Sequence, residues 1–160
     1  MTTLALYTTM FPGCERYLRS WYESLIGQTD RSFKLWVGLD ELSIEAARSA
    51  MGGDPDAFWV RGEVGDTPAQ VRQRALEQIV LCHDSVVLVD SDDLLHPTRV
   101  AVARRHLEKS QLVGCALRLV NESGEPQGGL LALPAGVRCE DVLPRGNVFG
   151  LSNSAYRAQL

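Results

Sequence analysis

The chain has 160 residues, 45% of them hydrophobic, which is length enough for one globular domain with a sizeable core and too little for two independent ones. Sixteen Lys and Arg stand against twenty Asp and Glu for a net charge of −4, and the basic residues are spread along the chain without the block or stripe of a nucleic-acid binder. No apolar run approaches the length a bilayer requires and the N-terminus enters a strand without a charged leader, so no membrane-spanning segment is expected and the expected setting is soluble and cytoplasmic.

Leu4 to Thr9 reads as a first strand, and Pro12-Gly13 opens a helix through about Gln28 whose apolar positions recur at three and four. Phe33 to Leu39 is a second strand ending at Asp40-Glu41. Ser43 starts a short helix that dies at Gly52-Gly53, and Phe58 to Val60 is a short third strand. Asp66-Thr67-Pro68 is an N-terminal signal for the helix that carries Val71, Ala75, Leu76 and Ile79. The strand at Val86 follows, then a helix from Pro97 to about Lys109. Leu112 to Val120 reads as one strand, Asn121 to Gly124 as a turn, and the stretch through Gly129 to Leu133 as another strand. Ala155 to Leu160 looks like the opening of a helix that Asn153 or Ser154 would cap. This alternation predicts a mainly parallel α/β sheet with late antiparallel strands. Trp21 and Trp36 fall at core positions. Cys14, Cys82, Cys115 and Cys139 are scattered without a CxxC pair, so reduced thiols are expected, with neither a zinc site nor a disulfide framework.

The densest chemistry lies in Val86-Val87-Leu88-Val89-Asp90-Ser91-Asp92-Asp93, where a buried-type strand delivers three carboxylates to its own end. Parallel sheets bind ligands beyond the carboxyl ends of their strands. Clustered carboxylates raise one another's pKa unless something positive compensates. Hard oxygen ligands suit Mg2+ or Mn2+, which complete their shells with water and substrate phosphate. A polar turn in which Asp93 caps the next helix would account for one Asp; three point to a metal or phosphate site. His96 is close enough to be a ligand or simply a residue at the helix start.

These features together resemble family 2 glycosyltransferases of the GT-A fold. The resemblance rests on Leu4-Ala5-Leu6-Tyr7-Thr8-Thr9, the helix ending Ser24-Leu25-Ile26-Gly27-Gln28-Thr29, the strand Phe33 to Asp40, and Val89-Asp90-Ser91-Asp92-Asp93 with Pro97. Arg72-Gln73-Arg74-Ala75-Leu76 occupies the place of the family's Arg-Asn helix, and Gly146 to Asn153 is similar to its acceptor-side segment. The resemblance implies a GT-A-like, Rossmann-type, mainly parallel sheet flanked by helices. It further implies a nucleotide-diphosphate-sugar donor, Mn2+ or Mg2+ on Asp92, and Asp90 on the ribose or the metal shell. Thr8 or Thr9 and Asp40 would hold base and ribose. Arg72 would pair with a phosphate or brace the aspartates, although Arg72, Arg74 and Arg61 also fit the reading of solvated charges. The acceptor, whether sugar, lipid or protein, is not encoded legibly.

The departures are specific. Leu39-Asp40-Glu41 stands where the family usually has two aspartates, and Gln73 where it has Asn. Inverting members place a carboxylate base after the acceptor segment, a point the 160 residues do not reach, and the Glu140-Asp141 pair precedes that segment. No clear general base is therefore identified, and the expectation is one donor-binding domain that lacks the C-terminal part of the family's catalytic domain. Two other readings stay open. One is a donor-binding domain without catalysis; the other is a nucleotidyltransferase, against which the loop Thr9 to Gly13 lacks a Gly- and basic-rich phosphate cradle.

Overall fold

The computed structural model describes residues 3–121, 123–132 and 152–158. In chain order the elements are β1 (Leu4–Met10), α1 (Glu15–Ile26), β2 (Lys34–Leu39), α2 (Ile44–Met51), β3 (Ala57–Arg61), α3 (Pro68–Cys82), β4 (Ser85–Leu88), α4 (Arg99–Leu107), β5 (Leu112–Gly114), β6 (Leu117–Val120), β7 (Pro126–Leu131) and β8 (Ser154–Arg157). Six strands form one sheet in the order β3-β2-β1-β4-β8-β5, with β1, β2, β3 and β4 parallel and β8 antiparallel to both its neighbours. Strands β6 and β7 pair as a separate antiparallel ribbon.

Side-chain alternation explains why the central strands read as continuous apolar runs. Leu4, Leu6 and Met10 of β1 face a layer built by α1, α2 and α4, where Leu18, Trp21, Leu25, Met51, Val100 and Leu107 are buried. Ala5 and Tyr7 face the other way, onto Ala75 and Ile79 of α3. Both faces are covered, so both sets of side chains are apolar. On the first face α1 and α2 serve the connections from β1 to β2 to β3 and α4 follows β4, while α3 serves the return across the sheet to β4. Right-handed crossovers then put α3 on the opposite face, and the strand order reverses between β1 and β4.

Local signals set most boundaries. Ser43 accepts from the Ala46 N–H and Gly52 closes α2 at φ 68. Thr67 and Gln70 form a reciprocal capping box at the start of α3, with Pro68 in its first turn. In the turn after β6, Asn121 Oδ1 accepts from the N–H groups of Ser123 and Glu125.

Two expectations are corrected. Leu112 to Val120 is two strands in two sheets, because the chain leaves the main sheet at Cys115, whose N–H donates to the Asn153 carbonyl at 2.8 Å. Ser154–Arg157 is a strand, not the opening of a helix: its residues pair with β4 on one side and β5 on the other, and this two-sided pairing overrides local helix propensity. Asn153 and Ser154 accordingly cap no helix there. Trp21 and Trp36 are core residues, and Cys14, Cys82 and Cys115 are free thiols. Cys139, Glu140-Asp141 and positions 146–151 lie outside the described residues.

Candidate functional site

The carboxyl ends of β1, β2 and β4 converge where the strand order reverses. The Val89 N–H donates to the Tyr7 carbonyl at 3.1 Å and the Asp40 N–H to the Met10 carbonyl at 2.9 Å, so the ladders carry the chain to the acids on both sides of β1. Asp90 and Asp40 thus stand on one sheet edge, flanking the end of β1.

Asp90 is half-buried, Ser91 is fully buried beside the Cys14 thiol at the start of α1, and Asp92 and Asp93 are exposed. The turn is closed by the Asp93 N–H donating to the Asp90 carbonyl at 3.2 Å. Burial, followed by the charges of Asp93 and Asp92, pushes the Asp90 carboxyl above its ordinary range; a hydrogen bond from Ser152 and the charge of Arg72 pull the other way. The net rise reflects first the loss of water around this carboxyl, with the neighbouring carboxylates adding to it.

Arg72 on α3 is half-buried and acts electrostatically on both Asp90 and Tyr7, and its Nε is buried without a hydrogen-bond partner among the described residues. It also lines an open groove of about 430 Å3 along the outer flank of α3, with Ala69, Leu76 and Val80; none of the carboxylates of the acidic turn lines that groove. The other candidate cation, Arg74, is committed elsewhere: it pairs with Asp66 at 2.8 Å and Glu63 at 3.0 Å and so braces the loop between β3 and α3. Gln73 is turned to solvent, bonded to Glu77.

The two threonines differ. Thr8 has no exposed surface and its side chain belongs to the α1-side face, whereas Thr9 is half-buried on the α3 side and shares a 2.8 Å hydrogen bond with the Tyr7 hydroxyl. Gly38 makes room for this pair, since a Cβ there would strike the Tyr7 hydroxyl and approach Val71 at 3.0 Å. Glu41, next to Asp40, holds a left-handed φ of 54, a costly conformation for a residue with a Cβ. His96 is exposed and its Nδ1 shares a hydrogen bond with the Thr98 hydroxyl, so it sits at the helix start.

Sequence reasoning did not find Tyr7 or Ser152. The signal for Tyr7 was its two-residue spacing from Thr9, which puts both on one face of β1. Ser152 carried none, being 62 residues from the aspartate it touches.

The carboxylate oxygens of Asp90 and Asp92 are hard donors of the type that suits Mg2+ or Mn2+. Among the described residues no group of three or more His, Cys, Asp and Glu side chains forms a ligand set. Mg2+ commonly takes only one or two protein carboxylates when phosphate and water complete the shell.

No family model matches the chain, and no curated protein sequence does. Solved structures do. S. aureus TarS 1-349 in complex with UDP-GlcNAc superposes with a TM-score of 0.61 at 20% identity over 78% of this chain and 37% of that one. The mannosyltransferase PcManGT from Pyrobaculum calidifontis, in complex with GDP-Man and Mn2+, gives 0.54 at 16% identity over 98% of this chain and 44% of that one. A 4-diphosphocytidyl-2C-methyl-D-erythritol synthase from Anaerococcus prevotii gives 0.52 at 10% identity, covering 99% of this chain and 72% of that one. The chain thus spans less than half the length of the two sugar-nucleotide complexes, and what it shares with them is a GT-A-like fold.

Proposed function

We infer that this chain binds a nucleotide-diphosphate sugar across the carboxyl ends of β1, β2 and β4 and serves transfer of that sugar to an acceptor hydroxyl. The observation that carries the reading is the half-buried Asp90, within the electrostatic reach of Arg72 and placed where the strand order reverses, in a fold shared with structures that hold UDP-GlcNAc and GDP-Man. Asp92 and Asp90 would hold Mn2+ or Mg2+, which when bound supplies positive charge against the departing diphosphate. Arg72 would pair through its guanidinium with a phosphate oxygen, a geometry its planar fork suits. Thr9, near the end of β1, and Asp40, beside that end, stand where base and ribose would lie. The described residues are assigned the donor side of the reaction only; inversion at the anomeric carbon is the stereochemistry the resemblance implies.

The likeness to the Anaerococcus prevotii synthase supports a second reading, nucleotidyl transfer. The two separate on ligand. Incubation with UDP-GlcNAc, GDP-mannose and CTP in Mn2+, with binding and released products followed together, is expected to show metal-dependent binding of a sugar nucleotide. Binding of CTP alone would favour nucleotidyl transfer, and sugar-nucleotide binding without turnover would mark a donor-binding module.

A further inference from the structure

The acidic turn is followed by a stretch, residues 94–98, with neither helix nor strand before α4 begins. Its geometry is imposed from the far end of α1. Gln28 lies just beyond that helix and is only 3% exposed. Its side-chain amide donates to the His96 carbonyl at 2.9 Å and to the Ser24 carbonyl at 3.1 Å, and its Oε1 accepts from the Val100 N–H at 3.1 Å. Both kinds of hydrogen-bonding atom on this one side chain are engaged.

Its neighbours act on the same stretch. The Leu95 N–H donates to the Ser24 hydroxyl at 3.1 Å, and both the N–H and the hydroxyl of Thr29 donate to the Pro97 carbonyl. Asp30 then pairs with Arg104 of α4 at 2.7 Å, with both side chains about four-fifths buried. At its other end α1 starts at Cys14, which lies against Ser91 and feels the charge of Asp92. The helix is therefore a strut that meets the acidic turn at one end and the stretch behind it at the other, and Gln28 is the side chain that joins the strut to the start of α4.

We propose that Gln28 is a positioning residue for the cation and diphosphate site: it holds the segment behind Asp90–Asp93 in the arrangement that lets the carboxylates share one cation, while touching neither ligand. The inference rests on the donor-site reading above. Like-charged groups do not stay converged unless the backbone that carries them is held, and here the holding bonds come from residues 68 to 72 positions earlier in the chain.

The test compares the parent chain with Gln28→Met, which keeps size and removes every polar bond, and with Leu25→Ala, which creates a cavity on the same helix and leaves the Gln28 amide in place. All three are titrated with UDP and GDP over a range of Mn2+ concentrations, well below the lowest melting temperature of the set. Gln28→Met is expected to raise the Mn2+ concentration for half-maximal nucleotide binding at least tenfold, with Leu25→Ala within twofold of the parent. Gln28→Met within twofold of the parent, or an equal loss in Leu25→Ala, would overturn the positioning role and leave only a contribution to stability. Absence of nucleotide binding by the parent itself would overturn the donor-site reading and the inference with it.

Discussion

The N–H of Asp90 donates to the Ser152 hydroxyl at 2.8 Å, and that hydroxyl faces Oδ2 of the same aspartate at 3.3 Å, so one serine from the end of the described chain fixes both backbone and side chain of the first acid. The C-terminal residues thereby complete a site that the first ninety residues begin.

Ser152→Ala leaves a partly buried N–H without its acceptor. The expected cost is about 1–3 kcal/mol of unfolding free energy, read from urea denaturation. The Asp90 carboxyl should also move further above its ordinary range, because the Ser152 bond is one of the influences holding it down. Unchanged stability would show that the bond contributes nothing.

Asp90→Asn separates stability from function. A carboxyl whose pKa is raised in the folded state stabilises the fold below its unfolded value of about 3.9 and loses that contribution as pH climbs through its folded value. In metal-free buffer at pH 7 the charged aspartate is therefore a burden, and Asp90→Asn should melt above the parent while binding nucleotide more weakly in Mn2+. The difference in melting temperature should close as pH falls below about 4. A variant less stable than the parent at pH 7 would show that Asp90 is not strained.

Gly38→Ala tests the packing beneath Thr9. The added Cβ meets the Tyr7 hydroxyl and Val71 in a fully buried place, so a loss of about 1–3 kcal/mol is expected from overpacking. Tyr7 must also shift away from Thr9, and nucleotide affinity should fall with it. Full stability in this variant would mean that the Tyr7 ring does not cross over β2.

A histidine at the opposite end of β4 gives the protein an acid-side limit. The Trp36 Nε1–H donates to His83 Nε2 at 3.0 Å, which requires that nitrogen to be unprotonated. Burial holds the imidazole below its ordinary range; Asp84 opposes this and Lys34 adds to it. Such a group contributes stability above the unfolded value of about 6.5, lost as pH falls through the lower folded value. Urea midpoints followed by tryptophan fluorescence should therefore drop as pH falls below about 6.5. In His83→Gln, which accepts the same bond without titrating, the drop should be smaller, and parallel curves would contradict the assignment.

The α/β order was legible because each early element carries its own signals: a doubly covered strand such as Leu4–Met10 is apolar throughout, and the Thr67-Pro68-Gln70 start of α3 is written locally. The later chain was not, for a physical reason. Ala155, Tyr156 and Arg157 suit a helix by propensity, and only hydrogen bonds from two other strands decide otherwise. Nor does a run of strand formers from Leu112 to Val120 report that the chain changes sheets at Cys115. At the site, Asp90, Asp92 and Arg72 were visible as residue types in a recognisable order. The tie from Ser152 and the strut through Gln28 were invisible, because they depend on contacts across 62 to 72 residues.

The most direct measurement is calorimetric titration of the parent chain and of Asp92→Ala with UDP and GDP, each in Mn2+ and in EDTA, beside a melting curve for both proteins. The expected result is binding of at least one nucleotide by the parent in Mn2+, none in EDTA, and loss of that binding in Asp92→Ala with the fold intact. Equal affinity in the two proteins would contradict the metal role of Asp92, and no binding by the parent under any condition would contradict the donor site itself.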